Sequence, residues 1–209
     1  MAEEESRDAG PSAALMSAIV TEQFVLQSAA STTVSEALGR SSLYLSALSS
    51  SLIALGFASQ TPGLLLPFAA AALPTVFVLG LFTTVRLVGT GVQNVLYLSS
   101  IARIRAYYRE LDPEAACYFA RWNAGEGETD DALGSLAVKS GPMAGLFTAA
   151  SMVAVINGVL GGVCLALLTY YLVTDHHLPA ALAVGLSTAT VCLTMFYRCQ
   201  HHRYLNIQR

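Results

Sequence analysis

Three long stretches without a charged side chain constrain the fold of this sequence more than any other feature. They run from Arg40 to Arg86, from Lys139 to Asp175 and from Asp175 to Arg198. A helix needs about 20 apolar residues to cross the roughly 30 Å hydrocarbon core of a bilayer, and a charge placed at its centre costs about 2.5–3.5 kcal/mol. With 54% hydrophobic and only 12% charged residues, the chain predicts an all-α, polytopic membrane protein.

The lengths of these stretches predict four transmembrane helices. The first stretch is long enough for two crossings, and Gln60-Thr61-Pro62-Gly63 is the natural turn between them because proline and glycine favour turns. Each of the other two stretches holds one crossing. We therefore expect transmembrane helices at about 43–59, 64–84, 148–173 and 179–197.

The basic residues predict the orientation of these helices. All eleven Lys and Arg residues lie outside the two short connections, which are centred on Thr61-Pro62 and on His176-His177. Because cytoplasmic loops of membrane proteins are enriched in Lys and Arg, we expect both connections to be external and both termini cytoplasmic, in the inner (plasma) membrane of a bacterium. Tyr44 would then lie near the inner surface, as a member of an interfacial aromatic belt.

Four regions follow from this pattern. Residues 1–11 form an acidic tail predicted to be disordered, and residues 12–110 form a first helical hairpin whose two helices continue into the cytoplasm as a stalk. Residues 111–141 form a cytoplasmic segment of short helices. Asp112-Pro113-Glu114 predicts the start of one that covers 113–124, and a second is expected over about 131–139. Residues 142–209 form a second hairpin with a cytoplasmic tail. Gly89 and Gly91 are the predicted hinge of the stalk.

One narrow stripe of small residues follows the first long helix at spacings of four and three. We call it the hydroxyl stripe, and its members are Ser28, Thr32, Ser35, Gly39, Ser42, Ser46 and Ser49. Small residues at this spacing let helices approach closely and exchange hydrogen bonds, so a packing seam between helices is the favoured interpretation. The alternative is a water-accessible pore lining.

The second hairpin carries two further patterns of small residues. Gly158 and Gly162 form a G-x-x-x-G motif, and a second series consists of Ala181, Gly185 and Ala189. Both predict close helix packing, within one subunit or between subunits. Asn157 is the most polar residue of its span. It is interpreted first as an interhelical hydrogen-bonding residue and otherwise as a cap at a helix break or a pore-facing group.

Several motifs that carry chemistry are missing from the sequence. It contains no P-loop, no H-E-x-x-H and no G-x-S-x-G motif, so we expect no catalytic residue, no metal site, no cofactor and no enzymatic activity. No Asp, Glu, Lys, Arg or His lies well inside a span, which disfavours proton-coupled transport. A net charge of −3 argues against a nucleic-acid partner.

Two segments carry a resemblance to other proteins. The run Ile104-Arg-Ala-Tyr-Tyr-Arg-Glu-Leu-Asp-Pro113, after a serine-rich helix that ends Ser-Glu-Ala-Leu-Gly-Arg40, resembles uncharacterised small bacterial four-span membrane proteins. In layout, the first 110 residues also resemble the two-span membrane effector modules of bacterial nucleotide-signalling defence systems. That resemblance implies long helices that leave the membrane, and it assigns no functional residue.

Three functions are compatible with these features. The first is a homo-oligomeric channel or pore, suggested by the hydroxyl stripe and the uncharged spans. The second is a membrane-anchored scaffold or effector that docks a cytoplasmic protein partner through its stalk. The third is a small uncoupled transporter with a cavity at the membrane midplane. The lipid bilayer is a partner in all three, and self-association is expected for the first.

Overall fold

The computed structural model describes residues 12–112, 114–119, 132, 148–172 and 177–205. In this part of the chain there are four long helices: α1 is Ala13–Ala58, α2 is Leu65–Leu111, α3 is Ala149–Leu172 and α4 is Leu178–Leu205. A short 3-10 helix, Ala115–Tyr118, follows α2. The predicted all-α fold is confirmed, and all four long helices are apolar and long enough to cross a membrane. The acidic tail at 1–11 and the short helix expected near 131–139 lie outside the described residues, except for Ala132.

Helices α1 and α2 are much longer than a membrane crossing requires. They contain 46 and 47 residues, which corresponds to about 69 and 70 Å at 1.5 Å per residue, whereas the hydrocarbon core measures roughly 30 Å. As expected, α1 continues without a break through Arg40, and α2 continues past Arg86. Pro74 lies inside α2 and supplies no backbone N–H, yet the helix continues beyond it.

The predicted turn between α1 and α2 is confirmed. The Leu64 amide donates to the Thr61 carbonyl oxygen at 3.2 Å, which closes a four-residue turn. Pro62 occupies its second position, and Gly63 occupies its third with a φ of 79°. A type II turn needs a positive φ at that third position, where glycine is the residue with the least strain. The sequence Pro-Gly therefore reverses the chain within a few residues.

The chain divides into two compact units whose borders cross α1 and α2. The first unit is 1–33 with 93–140, and the second is 34–92 with 141–209. In the second unit the core side chains come from three helices; they are Tyr44, Ala69, Leu73, Val76, Leu87, Val88, Ala150, Val153 and Leu160. In the most apolar 18-residue segment of α3, 39% of the residues are buried, whereas the corresponding share is 11% in α1 and in α4. Helix α3 is therefore the most enclosed of the four.

In the first unit, a buried hydroxyl joins α1 to α2. The Thr33 hydroxyl donates to the Ala30 carbonyl oxygen at 2.7 Å and lies 3.2 Å from Asn94 Oδ1 on α2. Thr33 is 7% exposed, so this contact is shielded from solvent. It is a polar contact between α1 and α2 in a region where the residues next to Thr33 and Asn94 in sequence are mostly small or polar.

The prediction of a helix over 113–124 is wrong for the residues that the structure describes, 114–119. The Asp112 side chain does accept a hydrogen bond from the Glu114 amide at 3.0 Å, as an N-cap would. However, the helix that follows is the short 3-10 helix alone, and Phe119 is extended. This extension brings the Phe119 ring to 5.4 Å from the Tyr108 ring of α2. Aromatic packing against α2 thus accompanies the early end of the helix.

Candidate functional site

Every member of the hydroxyl stripe is exposed in the isolated chain. This holds along the whole stripe, from Ser28 to Ser49, in both units. A carbon atom added at Gly39 would meet no atom within 4 Å. The described residues of each unit leave these positions open to their surroundings, and the predicted packing seam, which needs a second helix or a second chain, stays a prediction.

From Ser35 to Ser49, the hydroxyl stripe lies on the side of α1 opposite to the core of the second unit. Tyr44 is fully buried in the second unit. At 100° per residue, Ser42 and Ser46 each point about 160° away from Tyr44. The flanking positions on the stripe side carry apolar side chains, including Leu38 and Leu43, which are 62% and 72% exposed. In a bilayer this face would contact lipid or another molecule.

The hydroxyl groups in the membrane part of the stripe lack hydrogen-bonding partners. Several other serine and threonine hydroxyls in the spans donate to a carbonyl three or four residues earlier, as Ser41 and Ser51 do at 2.8 Å. Such a bond satisfies the hydroxyl within its own helix. Among the described residues, nothing bonds the hydroxyls of Ser42, Ser46 and Ser49. Their polar groups remain available to water or to a second chain.

Asn157 makes an interhelical hydrogen bond, the first of its three sequence-based interpretations. The Tyr44 hydroxyl donates to Asn157 Oδ1 at 3.3 Å. Both side chains are buried, with 0% and 3% exposed. The expectation that Tyr44 belongs to an interfacial belt is therefore wrong, because its hydroxyl finds a polar partner on α3 within the bundle.

Two glycines that the sequence analysis did not single out leave room for side chains of other helices. A carbon atom added at Gly80 would collide with Asn157 Oδ1 and would lie 2.8 Å from the Tyr44 ring. One added at Gly161 would lie 2.5 Å from the Phe77 ring. Neither glycine belongs to the small-residue patterns described above, so the sequence offered no signal beyond the absence of a side chain.

The two small-residue patterns of the second hairpin pack against each other. A carbon atom added at Gly162 would lie 2.6 Å from the Gly185 carbonyl oxygen, and one added at Gly185 would lie 2.7 Å from the Gly162 carbonyl oxygen. One added at Gly158 would lie 3.7 Å from the Ala189 carbonyl oxygen, and Ala181 is 2% exposed. We call this contact the glycine seam; it is formed within one chain, between α3 and α4.

The predicted hinge residues lie inside a continuous helix. Gly89 and Gly91 are both within α2, and a carbon atom added at Gly89 would meet nothing within 4 Å. The border between the two compact units crosses α2 between Val92 and Gln93, next to this pair. A hinge at these glycines stays a prediction.

One carboxylate joins two arginines at the edges of the first uncharged stretch. Glu36 Oε1 accepts a hydrogen bond from Arg40 Nε at 2.9 Å, within α1, and lies 3.5 Å from Arg86 Nη2 of α2. The side chains of Arg40 and Arg86 are 42% and 63% exposed. Because the pairs face solvent, their contribution to stability is small. They nevertheless place two guanidinium groups side by side.

Neither a metal centre nor a relative assigns a chemistry to these groups. Within the described ranges, no three His, Cys, Asp or Glu side chains lie close enough together to hold a metal ion. No protein-family model matches the chain, and neither the curated proteins nor the solved structures contain a match. The interpretation of function therefore depends on the geometry of the chain itself, and the resemblance noted for the first 110 residues stays a prediction.

Proposed function

We propose that the chain is a subunit of a homo-oligomeric channel or pore-like assembly in a membrane, in which the hydroxyl stripe of α1 contacts neighbouring subunits or lines the pore. The observation that carries this proposal is the outward position of the stripe. Its serines are exposed, lie opposite to the core and, from Ser42 to Ser49, lack bonding partners in the described chain.

The physical argument concerns what surrounds such a face in a bilayer. A hydroxyl transferred to an apolar medium without a hydrogen bond costs about 2–7 kcal/mol. A second copy of α1 or a water-filled pore would provide the missing partner, whereas lipid chains would not. The spacing of four and three along the stripe averages 3.5 residues, the period of helices that supercoil around one another. Association of copies through α1 accounts for both features.

Within this proposal, the basic residues give the orientation. All eleven Lys and Arg lie outside the two short connections, which favours a bacterial inner membrane with both termini in the cytoplasm. The residues before Arg40 in α1 and after Arg86 in α2 then belong to the cytoplasmic side. A signal acting on these segments would be transmitted along two continuous helices.

The test combines the oligomeric state with ion flux. The purified chain is reconstituted in liposomes that contain a fluorescent ion indicator. Ion flux is then compared for the wild type, Ser46→Leu and Ser187→Leu. Ser187 is the matched control, because it is also an exposed serine of a span but lies on α4 and bonds to its own helix at 2.9 Å. We expect Ser46→Leu to lose flux and self-association, and Ser187→Leu to keep both. A monomeric wild type without flux would refute the proposal.

A second proposal is a membrane-anchored scaffold or effector that binds a cytoplasmic protein. The observation in its favour is that α1 and α2 each exceed the bilayer core by about 40 Å of helix, of which the part in the first unit is joined by the buried contact between Thr33 and Asn94. This proposal predicts self-association without flux. It also predicts that charge reversal at Arg105 releases a co-purifying protein while the assembly stays intact.

A further inference from the structure

Arg40 and Arg86 each lie about one membrane thickness along their helices from the turn between α1 and α2. No charged residue occurs between them in the sequence. Eighteen residues separate Arg40 from the end of α1 at Ala58, and 21 separate Arg86 from the start of α2 at Leu65; these lengths correspond to about 27 and 32 Å of helix. Because both values match the roughly 30 Å hydrocarbon core, the two guanidinium groups would lie at the headgroup level on one side.

The charge at this position is not balanced within the described chain. Glu36 is the one acidic group that pairs with either arginine in the described part of the chain, so two positive charges face one negative charge. Arg40 uses its Nε atom for this pair, and Arg86 makes a longer contact of 3.5 Å. A guanidinium group carries five N–H donors in a planar fork that fits phosphate oxygens. Several donors of each arginine therefore remain free for a further anion.

Apolar side chains continue this surface towards the membrane centre. Leu43 lies three residues deeper than Arg40 on α1 and is 72% exposed, and Phe82 lies four residues deeper than Arg86 on α2 and is 73% exposed. Residues three and four apart share one face of a helix. A pair of cations next to exposed apolar side chains complements a phospholipid, since the phosphate can bind the cations and the acyl chains can contact the apolar side chains.

We infer that Arg40 and Arg86 together bind the phosphate of an anionic phospholipid, whose acyl chains lie against Leu43 and Phe82. Glu36 pairs with both arginines and weakens the attraction of the phosphate by its own negative charge. The inference does not require that the hydroxyl stripe forms a pore, although Leu43 is the sequence neighbour of the stripe member Ser42. Anionic lipids are concentrated in the cytoplasmic leaflet, which is the side predicted for both arginines.

Native mass spectrometry of the full chain in detergent tests this inference. The probes are phosphatidylglycerol and phosphatidylcholine, and the measured quantity is the dissociation constant of the first bound lipid. An arginine near an anionic surface contributes about a fivefold change in affinity. We therefore expect Arg86→Gln to bind phosphatidylglycerol about fivefold more weakly, and Arg40→Gln with Arg86→Gln about 25-fold more weakly. Binding of phosphatidylcholine should change little.

Two further variants and one competitor keep the test decisive. Arg198→Gln is the matched control, because Arg198 is exposed and also follows an uncharged span; it should bind like the wild type. Glu36→Gln should bind phosphatidylglycerol more tightly, and this gain cannot come from a misfolded chain. Equal binding by the wild type and the double variant would overturn the inference. Displacement of the lipid by an equal concentration of glycerol phosphate would overturn it as well, since the site would then take soluble phosphate.

Discussion

The glycine seam and the hydroxyl stripe are two small-residue patterns in the same chain, but the first is packed against another helix and the second is exposed. Between α3 and α4, Gly162 and Gly185 lie so close that neither tolerates a side chain. On α1, Gly39 has open space around it, and the serines that continue the stripe are exposed. The comparison teaches that spacing identifies a face suited to close approach, whereas the partner of that face depends on what the rest of the chain covers.

The largest expected effect comes from a side chain placed in the seam. Gly162→Leu would force its side chain into the Gly185 backbone, from which even a Cβ atom would be only 2.6 Å distant. We expect the free energy of unfolding in detergent to fall by about 3 kcal/mol or more, the upper range for overpacking. The measurement is denaturant titration followed by circular dichroism.

Gly39→Leu is the matched control for the seam. It adds the same side chain to a small-residue pattern in open space, so the free energy of unfolding should not fall; it should rise by up to about 1 kcal/mol, because leucine favours a helix more than glycine does. Equal losses in the two variants would show that the seam and the stripe do not differ.

The contact between Tyr44 and Asn157 ranks second. Tyr44→Phe removes the hydroxyl and leaves Asn157 Oδ1 without its donor, so we expect a loss of about 1 kcal/mol in the free energy of unfolding. A double-mutant cycle with Asn157→Ala should give a coupling of about 0.6–1.7 kcal/mol. Tyr197→Phe serves as the control, because no described residue bonds its hydroxyl. Zero coupling would contradict the interhelical bond.

A substitution on the stripe should separate stability from association. Because the Ser46 side chain is exposed in the single chain, Ser46→Leu should change the free energy of unfolding of the monomer by no more than about 0.5 kcal/mol. Its effect should appear instead in the mass measured by light scattering in detergent, with a shift towards the monomer. If Ser46→Leu destabilises the monomer as Gly162→Leu does, the stripe is an internal seam.

The smallest effect is expected at the ion pairs of Glu36. Glu36→Ala removes contacts with two arginines that are 42% and 63% exposed, and exposed pairs contribute about 0.2–1 kcal/mol before screening by salt. We expect a loss near the lower end of this range, and the loss should disappear in 1 M salt because screening is then nearly complete. Glu22→Ala, an exposed glutamate without an ion pair in the described chain, should have no effect.

The sequence predicted the helices well because a bilayer imposes a simple rule. Absence of charge over a sufficient length marks a span, and the Pro62-Gly63 turn has a local chemical signature. The continuous helices through Arg40 and Arg86 follow from the lack of strong helix breakers there. These features depend on short segments, so no knowledge of distant contacts was necessary.

The contacts between helices were less accessible to sequence reasoning. Asn157 was noticeable as a polar residue in an apolar span, but nothing in the sequence linked it to Tyr44, 113 residues away. Gly80 and Gly161 matter because of the side chains that approach them, and those approaches arise from the packing of whole helices. The early end of the helix after Asp112 likewise accompanies the contact between Phe119 and Tyr108.

The enclosure of α3 has a consequence for the order in which the chain is made. Synthesis delivers α1 and α2 to the membrane before α3 exists, so the nascent hairpin must enter the lipid with the Tyr44 hydroxyl still lacking its acceptor and with the groove at Gly80 empty. When Asn157 arrives, it accepts the hydrogen bond from Tyr44 and occupies the groove at Gly80. We therefore expect biogenesis to be most vulnerable in the interval between the second and third helices, when an insertase or a delay in translation would have its greatest influence.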